Sequence, residues 1–222
     1  ASEFRYREPP IEKGTAAIFV SQSGETADTL AALRYCVGKA RNIISIVNIA
    51  TSSIARESDQ VLEIHAGPEI GVASTKAFTA QLTVLFALAV DFGRANAKLN
   101  AEDIMELQQK LLSVPGAVGE AIASFAQVQP VAQHLKKTPS CLFLGRGRLY
   151  PLALEAALKL KELSYIHAEG FASGEMKHGP IALIEDGLPI VSLLAADEIL
   201  AKACSNLREA AARGGQIILI TE

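Results

Sequence analysis

An apolar run, Ala16 to Val20, leads straight into Ser21-Gln-Ser-Gly-Glu-Thr26, and behind it Leu30, Leu33 and Val37 recur at helical spacing. A continuous apolar run suits a strand covered on both faces, as in parallel sheets. A period of three to four residues suits an amphipathic helix. A strand that feeds a helix through a short polar loop commits this stretch to an α/β fold. The loop also has chemistry of its own. Ser21, Ser23 and Thr26 can each donate a hydroxyl proton, Gln22 adds an amide, and Gly24 lets the backbone approach closely. The helix N-terminus behind them offers backbone N–H groups to an anion. No Lys or Arg lies in the loop, so a phosphate on a small molecule fits better than a polyanion. A bare N-cap needs one such residue, and this loop has several. Glu25 and Asp28 are expected in the first helical turn, where they favour the dipole.

The chain has 222 residues, half of them hydrophobic and 20% charged. That suffices for one large or two small domains with a sizeable core. The net charge is −3, so neither a nucleic acid nor an anionic membrane is an expected partner. The longest largely apolar run, Leu82 to Val90, covers nine residues, against the roughly 20 of a membrane span. The charged opening Ala1-Ser-Glu-Phe-Arg-Tyr-Arg7 has no apolar region of a signal peptide. The absence of an initiator Met suggests an excised or processed piece. Cys36, Cys141 and Cys204 share no metal-type spacing and sit in apolar settings, which points to reduced, buried thiols and a cytoplasmic compartment.

Strands are expected at 15–20, 43–47, 61–64, 140–144, 190–194 and 216–220. Helices are expected at 27–36, 75–92, from Asn100 (with Asp103 completing an N-cap arrangement), 118–137, 152–166 and 198–213. Pro115-Gly116 is expected to break the third helix. An architectural repeat is visible: 15–47 and 188–220 both read strand, loop, helix, turn, strand. Leu193-Leu-Ala-Ala-Asp-Glu198 stands in the second copy where the first has its hydroxyl loop. Duplication explains this, and so does the general likeness of βαβ units. The domain boundary is expected between Lys98 and Pro115, with domains over 1–98 and 99–222.

Three further segments carry reactive groups. Glu69-Ile-Gly-Val-Ala-Ser-Thr-Lys76 puts Ser74 and Thr75 ahead of a helix, where either would serve as an ordinary N-cap; beside the first loop, both could face one crevice at the strands' carboxyl ends. Glu155, Lys159 and Glu162 stand at i, i+4 and i+7 on one helical stripe, which periodicity alone reads as a solvated face with two ion pairs. Ala172-Ser-Gly-Glu-Met-Lys-His-Gly-Pro180 reads as an irregular loop carrying His178, either functional or an incidental surface turn. His65, His134 and His167 show no metal-like spacing and read as structural.

The motifs at 21–26, 69–79, 143–147, 158–162, 164–169 and 174–180, in this order, closely resemble the isomerase half of the glucosamine-6-phosphate synthase family, also called glutamine–fructose-6-phosphate aminotransferase (isomerizing). The resemblance covers nearly the whole chain. It implies tandem sugar-isomerase (SIS) domains, each a three-layer α-β-α fold with a five-stranded parallel sheet of flavodoxin-like topology. It implies that Ser21, Gln22, Ser23 and Thr26 hold a sugar phosphate and that Val72 and Ser74 contact the sugar. Glu162 matches the glutamate that moves a proton between C1 and C2, and Lys159 a lysine on the C1 side. His178 matches the ring-opening histidine reached from the neighbouring subunit of a homodimer, and Glu155 a further sugar-site acid. The implied ligand is a hexose 6-phosphate, with no cofactor and no metal, and the implied parent carries a glutaminase domain. On the same resemblance the chain opens downstream of the family's first strand and its sugar-contacting loop, so the first domain is truncated at its N-terminus, and the family's C-terminal tail is missing. A non-catalytic sugar-phosphate-binding regulatory SIS module is the alternative. Such a sensor has no need of Glu162, Lys159 and His178 together. A plain phosphosugar isomerase needing no ammonia would keep the base and the acid, and only the family match separates it.

Overall fold

The strand β2 (Asn42–Val47) shows why the apolar runs are unbroken. Its Ile43 and Val47 pack into one core with Phe19, Leu33, Cys36 and Ile54. Its Ile46 points the other way, into a second core with Ile64 and Ala77. Alternate side chains of a strand leave opposite faces, so a strand with helices on both sides must be apolar throughout. The computed structural model describes residues 1–221 and divides into two compact units, Ala1–Pro115 and Gly116–Glu222.

The first unit runs α1 (Ser2–Tyr6), β1 (Ala16–Ser21), α2 (Ala27–Cys36), β2, α3 (Ser53–Arg56), β3 (Gln60–Glu63) and α4 (Lys76–Ala95). Its strands pair in parallel in the order β1-β2-β3. The helices α2 and α3 cover one face and α4 the other. Among the described residues, α4 alone as a single helix is long and apolar enough to cross a membrane by length and composition. Here its Ala77, Ala80, Val84 and Leu85 pack towards the sheet.

The long helix α5 (Ala101–Ala123) follows. The cap expected at its start is present: Asn100 and Asp103 exchange backbone-to-side-chain hydrogen bonds of 2.9 and 3.0 Å. The break expected at Pro115-Gly116 is absent, and α5 runs through it. Proline removes the N–H that would bond the carbonyl four residues back. No residue of α5 is buried, so water can satisfy that carbonyl. The interruption falls instead at Ser124, before α6 (Phe125–Leu135).

The second unit adds β4 (Ser140–Gly145), α7 (Tyr150–Ser164), β5 (His167–Ala172), β6 (Pro189–Leu193), α8 (Leu200–Ala212) and β7 (Gln216–Ile220). All pairs are parallel, in the order β5-β4-β6-β7. The same alternation recurs on β4: Cys141 and Phe143 pack with Ala153 and Ala157 of α7, while Leu142 and Leu144 pack with Leu207 and Ala210 of α8. Each unit is thus an α-β-α sandwich, with three and four described strands where five were expected. The strand β5 was not foreseen, because His167-Ala-Glu-Gly-Phe-Ala172 lacks β-branched residues. It fits because Gly170 lets α7 come close: a Cβ there would lie 2.8 Å from the Cα of Leu154. The architectural repeat is real in three dimensions. β1-α2-β2 and β6-α8-β7 are both parallel crossovers, pairing Ala16 with Asn42 and Pro189 with Gln216.

Candidate functional site

The Ser-rich loop leaves the carboxyl end of β1 and turns into α2. Ser21 is buried at 6% exposure, its Oγ lies 3.0 Å from the Thr26 Oγ1, and it accepts the Gly24 N–H at 3.1 Å. The Ser23 hydroxyl accepts the Glu25 N–H at 3.2 Å. Thr26 occupies the N-cap of α2 without a side-chain capping bond. The first N–H groups of α2 therefore open onto a pocket of hydroxyls, and both neutral donors and the helix dipole favour an anion there.

The segment after β2 braces this loop from behind. The Asn48 N–H donates to the Gln22 carbonyl and the Ile54 N–H to the Gly24 carbonyl, at 3.1 and 3.0 Å. Gly24 has φ +67, and a Cβ there would fall 1.9 Å from the Ser52 Oγ. Both the left-handed conformation and the contact require glycine. Glu25 was expected in the first turn of α2, but it lies ahead of the Thr26 N-cap, and only Asp28 is in that turn. The Glu25 carboxylate accepts the Ser53 N–H at 2.7 Å, and this bond holds the carboxyl below the usual carboxylate range. Its charge serves the start of α3 instead of α2.

The second loop, between β3 and α4, has a different cap from the expected one. Thr75 is the N-cap of α4 but makes no side-chain capping bond. The carboxylate of Glu69 does that work from eight residues upstream, accepting the Ala77 N–H at 3.1 Å and the Ser74 hydroxyl at 3.5 Å. With its base so held, the loop carries Ile70 and Val72 outward, 93% and 92% exposed. An open cleft of about 670 Å³ lies at the carboxyl ends of the strands, with Gln22, Asn48 and Glu69 in its wall. The two loops of the first unit thus meet one crevice, where parallel α/β sheets place their ligands.

In the second unit, the α7 stripe is a linked trio. The Lys159 Nζ lies 2.9 Å from Glu155 Oε1 and 3.7 Å from Glu162 Oε2. Lys159 and Glu155 are about three-quarters buried, while Glu162 is the most open of the three. The 172–180 segment is not irregular: Ser173–His178 is a 3₁₀ helix, followed after Gly179 by another at Pro180–Leu183. Met176 anchors it in the core, and His178 stands exposed at its end. A rigid turn with a buried methionine presents the imidazole outward. Two of the three thiols are buried as expected, and burial pushes Cys141 up to about 11 and also raises Cys36; Cys204 is only half-buried, because it lies on a less covered side of α8.

The SIS domain signature matches residues 1–91 and 134–222. The chain belongs to the SIS domain family. Its likeness to one branch extends over its whole length. It is 55% identical over 222 residues to the glutamine–fructose-6-phosphate aminotransferase (isomerizing) of Bradyrhizobium diazoefficiens. It is 54% identical over 223 residues to the protein of that name from Rhizobium meliloti. The alignments cover all of this chain but 36% and 37% of those proteins, so it spans about a third of their length. Among solved structures, the C-terminal domain of glucosamine-fructose-6-phosphate aminotransferase from Francisella tularensis superposes with a TM-score of 0.97 at 42% identity. It covers 99% of this chain and 62% of that one. The resemblance read from the motifs therefore holds, as does the tandem three-layer SIS fold.

Two residues of the SIS crevice went unremarked as individuals in the sequence. Glu69 stands there only as part of a motif, and Asn48 lies just past the strand expected at 43–47. Neither has a local signal, because their bonds reach 5 to 19 residues along the chain.

Proposed function

We propose that this chain is the sugar-phosphate isomerase part of a glutamine–fructose-6-phosphate aminotransferase. It would turn fructose 6-phosphate and ammonia into glucosamine 6-phosphate, with the ammonia delivered by a glutaminase domain of the parent protein. The observation that carries this reading is the 55% identity, over every residue of the chain, to a protein of that name. In this reading Ser21, Gln22, Ser23 and Thr26 hold the phosphate, and Val72 and Ser74 contact the sugar. His178 of one subunit of a homodimer opens the ring bound by the other. Ammonia then adds to the C2 carbonyl of the open-chain ketose and water leaves, which gives an imine. Glu162 takes a proton from C1 and returns one to C2, so the carbonyl character moves to C1 and the amine stays at C2. Lys159 serves the C1 oxygen, and Glu155 helps to hold the sugar. A carboxylate suits the proton transfer between carbons and an imidazole the ring oxygen.

The test is calorimetric titration of fructose 6-phosphate into the protein and into a Ser23→Ala, Thr26→Ala double variant. Each lost bond to the charged phosphate should cost about 1.5–3 kcal/mol, so the variant should bind at least tenfold more weakly. Equal affinities would remove the phosphate from this loop.

A further inference from the structure

The Asn48 side chain stands between the two loops of the first unit and bonds only one of them. Its Oδ1 accepts the Ala66 N–H at 3.0 Å and its Nδ2 donates to the Gly67 carbonyl at 2.7 Å. This fork spans the point where the chain leaves β3 through two left-handed residues, His65 at φ +50 and Gly67 at φ +65. A left-handed conformation is unfavourable for histidine, so this kink needs something to hold it. The Asn48 backbone faces the opposite way, its N–H bonded to the Gln22 carbonyl of the Ser-rich loop at 3.1 Å. One residue at the carboxyl end of the central strand therefore ties both loops. Downstream of the kink, the Glu69 carboxylate clasps Ser74 and Ala77, so the loop is fastened near both of its ends.

We propose that Asn48 is a positioning residue that sets the 66–77 loop against the phosphate loop, so that Val72 and Ser74 meet a sugar whose phosphate rests on Ser21, Ser23 and Thr26. This rests on the sugar-phosphate reading above. In this role Asn48 acts through the loop it holds and not on the sugar itself. Its contribution is the alignment of one half of the site with the other. A side-chain amide is the group required, because one position must accept an N–H and donate to a carbonyl at once. Aspartate keeps the acceptor, loses the donor and sets a negative charge against the Gly67 carbonyl.

The experiment compares wild type with Asn48→Ala and Asn48→Asp, using fructose 6-phosphate and inorganic phosphate as probes. Both variants keep the backbone bond to Gln22. Inorganic phosphate uses the first loop alone, so its affinity should change less than about twofold. Fructose 6-phosphate uses both loops, and its affinity should fall about tenfold or more, the scale of two lost hydrogen bonds. Hydrogen exchange in the ligand-free protein should speed up across 66–77 and stay unchanged across 22–26. A variant that is merely less stable would weaken both probes together and speed exchange in both segments, and that outcome overturns the proposal. So does an unchanged affinity for fructose 6-phosphate beside a measurable wild-type affinity. If wild type binds neither probe, the sugar-phosphate reading fails. The positioning role at a sugar site fails with it, while the exchange data still report whether Asn48 holds the loop.

Discussion

Gly24 shows how narrow the tolerance of the crevice is at the scale of one residue. Its φ of +67 and the Ser52 hydroxyl 1.9 Å from a would-be Cβ leave room for neither a side chain nor another backbone conformation. Gly24→Ala should destabilise the first unit by roughly 1–3 kcal/mol. It should also weaken hexose-phosphate binding, because Ser21 bonds the Gly24 N–H. Thermal unfolding with and without ligand measures both effects, and an unchanged midpoint would show that the loop can relax. Cys141 offers a second test at this scale. Its thiol is fully buried and raised to about 11 by that burial, against about 8.5 in an unfolded chain. A raised folded value favours the neutral thiol, so this stabilisation is complete below about pH 8.5 and is lost as the pH climbs towards 11. Denaturant midpoints should therefore fall over that alkaline range, and by less in Cys141→Ala. In native protein a thiol reagent at pH 8 should modify half-buried Cys204 well before Cys141.

The helix α7 carries its charged stripe and its packing on different sides. Ala153 and Ala157 are buried against β4 and β5, and small residues there allow the close approach that Gly170 completes. Glu155, Lys159 and Glu162 stand apart from that face as a connected trio. The Lys159–Glu162 contact is long at 3.7 Å and Glu162 is the most open of the three, so this pair adds little to stability. Glu162→Gln in the full-length protein should leave the unfolding midpoint nearly unchanged. Exchange of deuterium into C2 of the substrate should drop by a factor on the order of 100 or more, as for a lost general base. Undiminished exchange, with phosphate binding intact, would assign the proton transfer elsewhere.

At the scale of the molecule, the two units are unequal copies. Both have the parallel strand–helix–strand crossover, but only the first keeps hydroxyls in the connecting loop. The second has Leu193-Leu-Ala-Ala-Asp-Glu198 there, and Leu194 packs into the core of its unit. Under the proposed function this leaves one phosphate loop per chain, and the second unit would supply Glu162 and His178. The proposed homodimer can be tested in two steps. Light scattering should give twice the chain mass. Mixing a His178→Ala protein with a Glu162→Gln protein should then restore activity, because one site of each mixed dimer would combine an intact Glu162 with the intact His178 of the other subunit. If His178 served the site of its own chain, every site in the mixture would carry a lesion and no activity would return.

The sequence by itself determined the α/β class, six of the seven described strands to within a residue or two, the hydroxyl cluster of the Ser-rich loop and the charged stripe of α7. These are local properties: an apolar run, a helical period and a cluster of hydroxyls act through neighbours on the same element. Tertiary structure decided the rest. β5 is a strand because β4 lies beside it and a glycine admits α7, not because its residues favour extension. Pro115 stays within a helix because α5 buries nothing at that point. Glu69 caps α4 and Asn48 clamps the turn after β3 because parallel crossovers bring separate loops to one end of the sheet. A side chain's partner across strands depends on that stacking, and the spacing along the chain carries no trace of it.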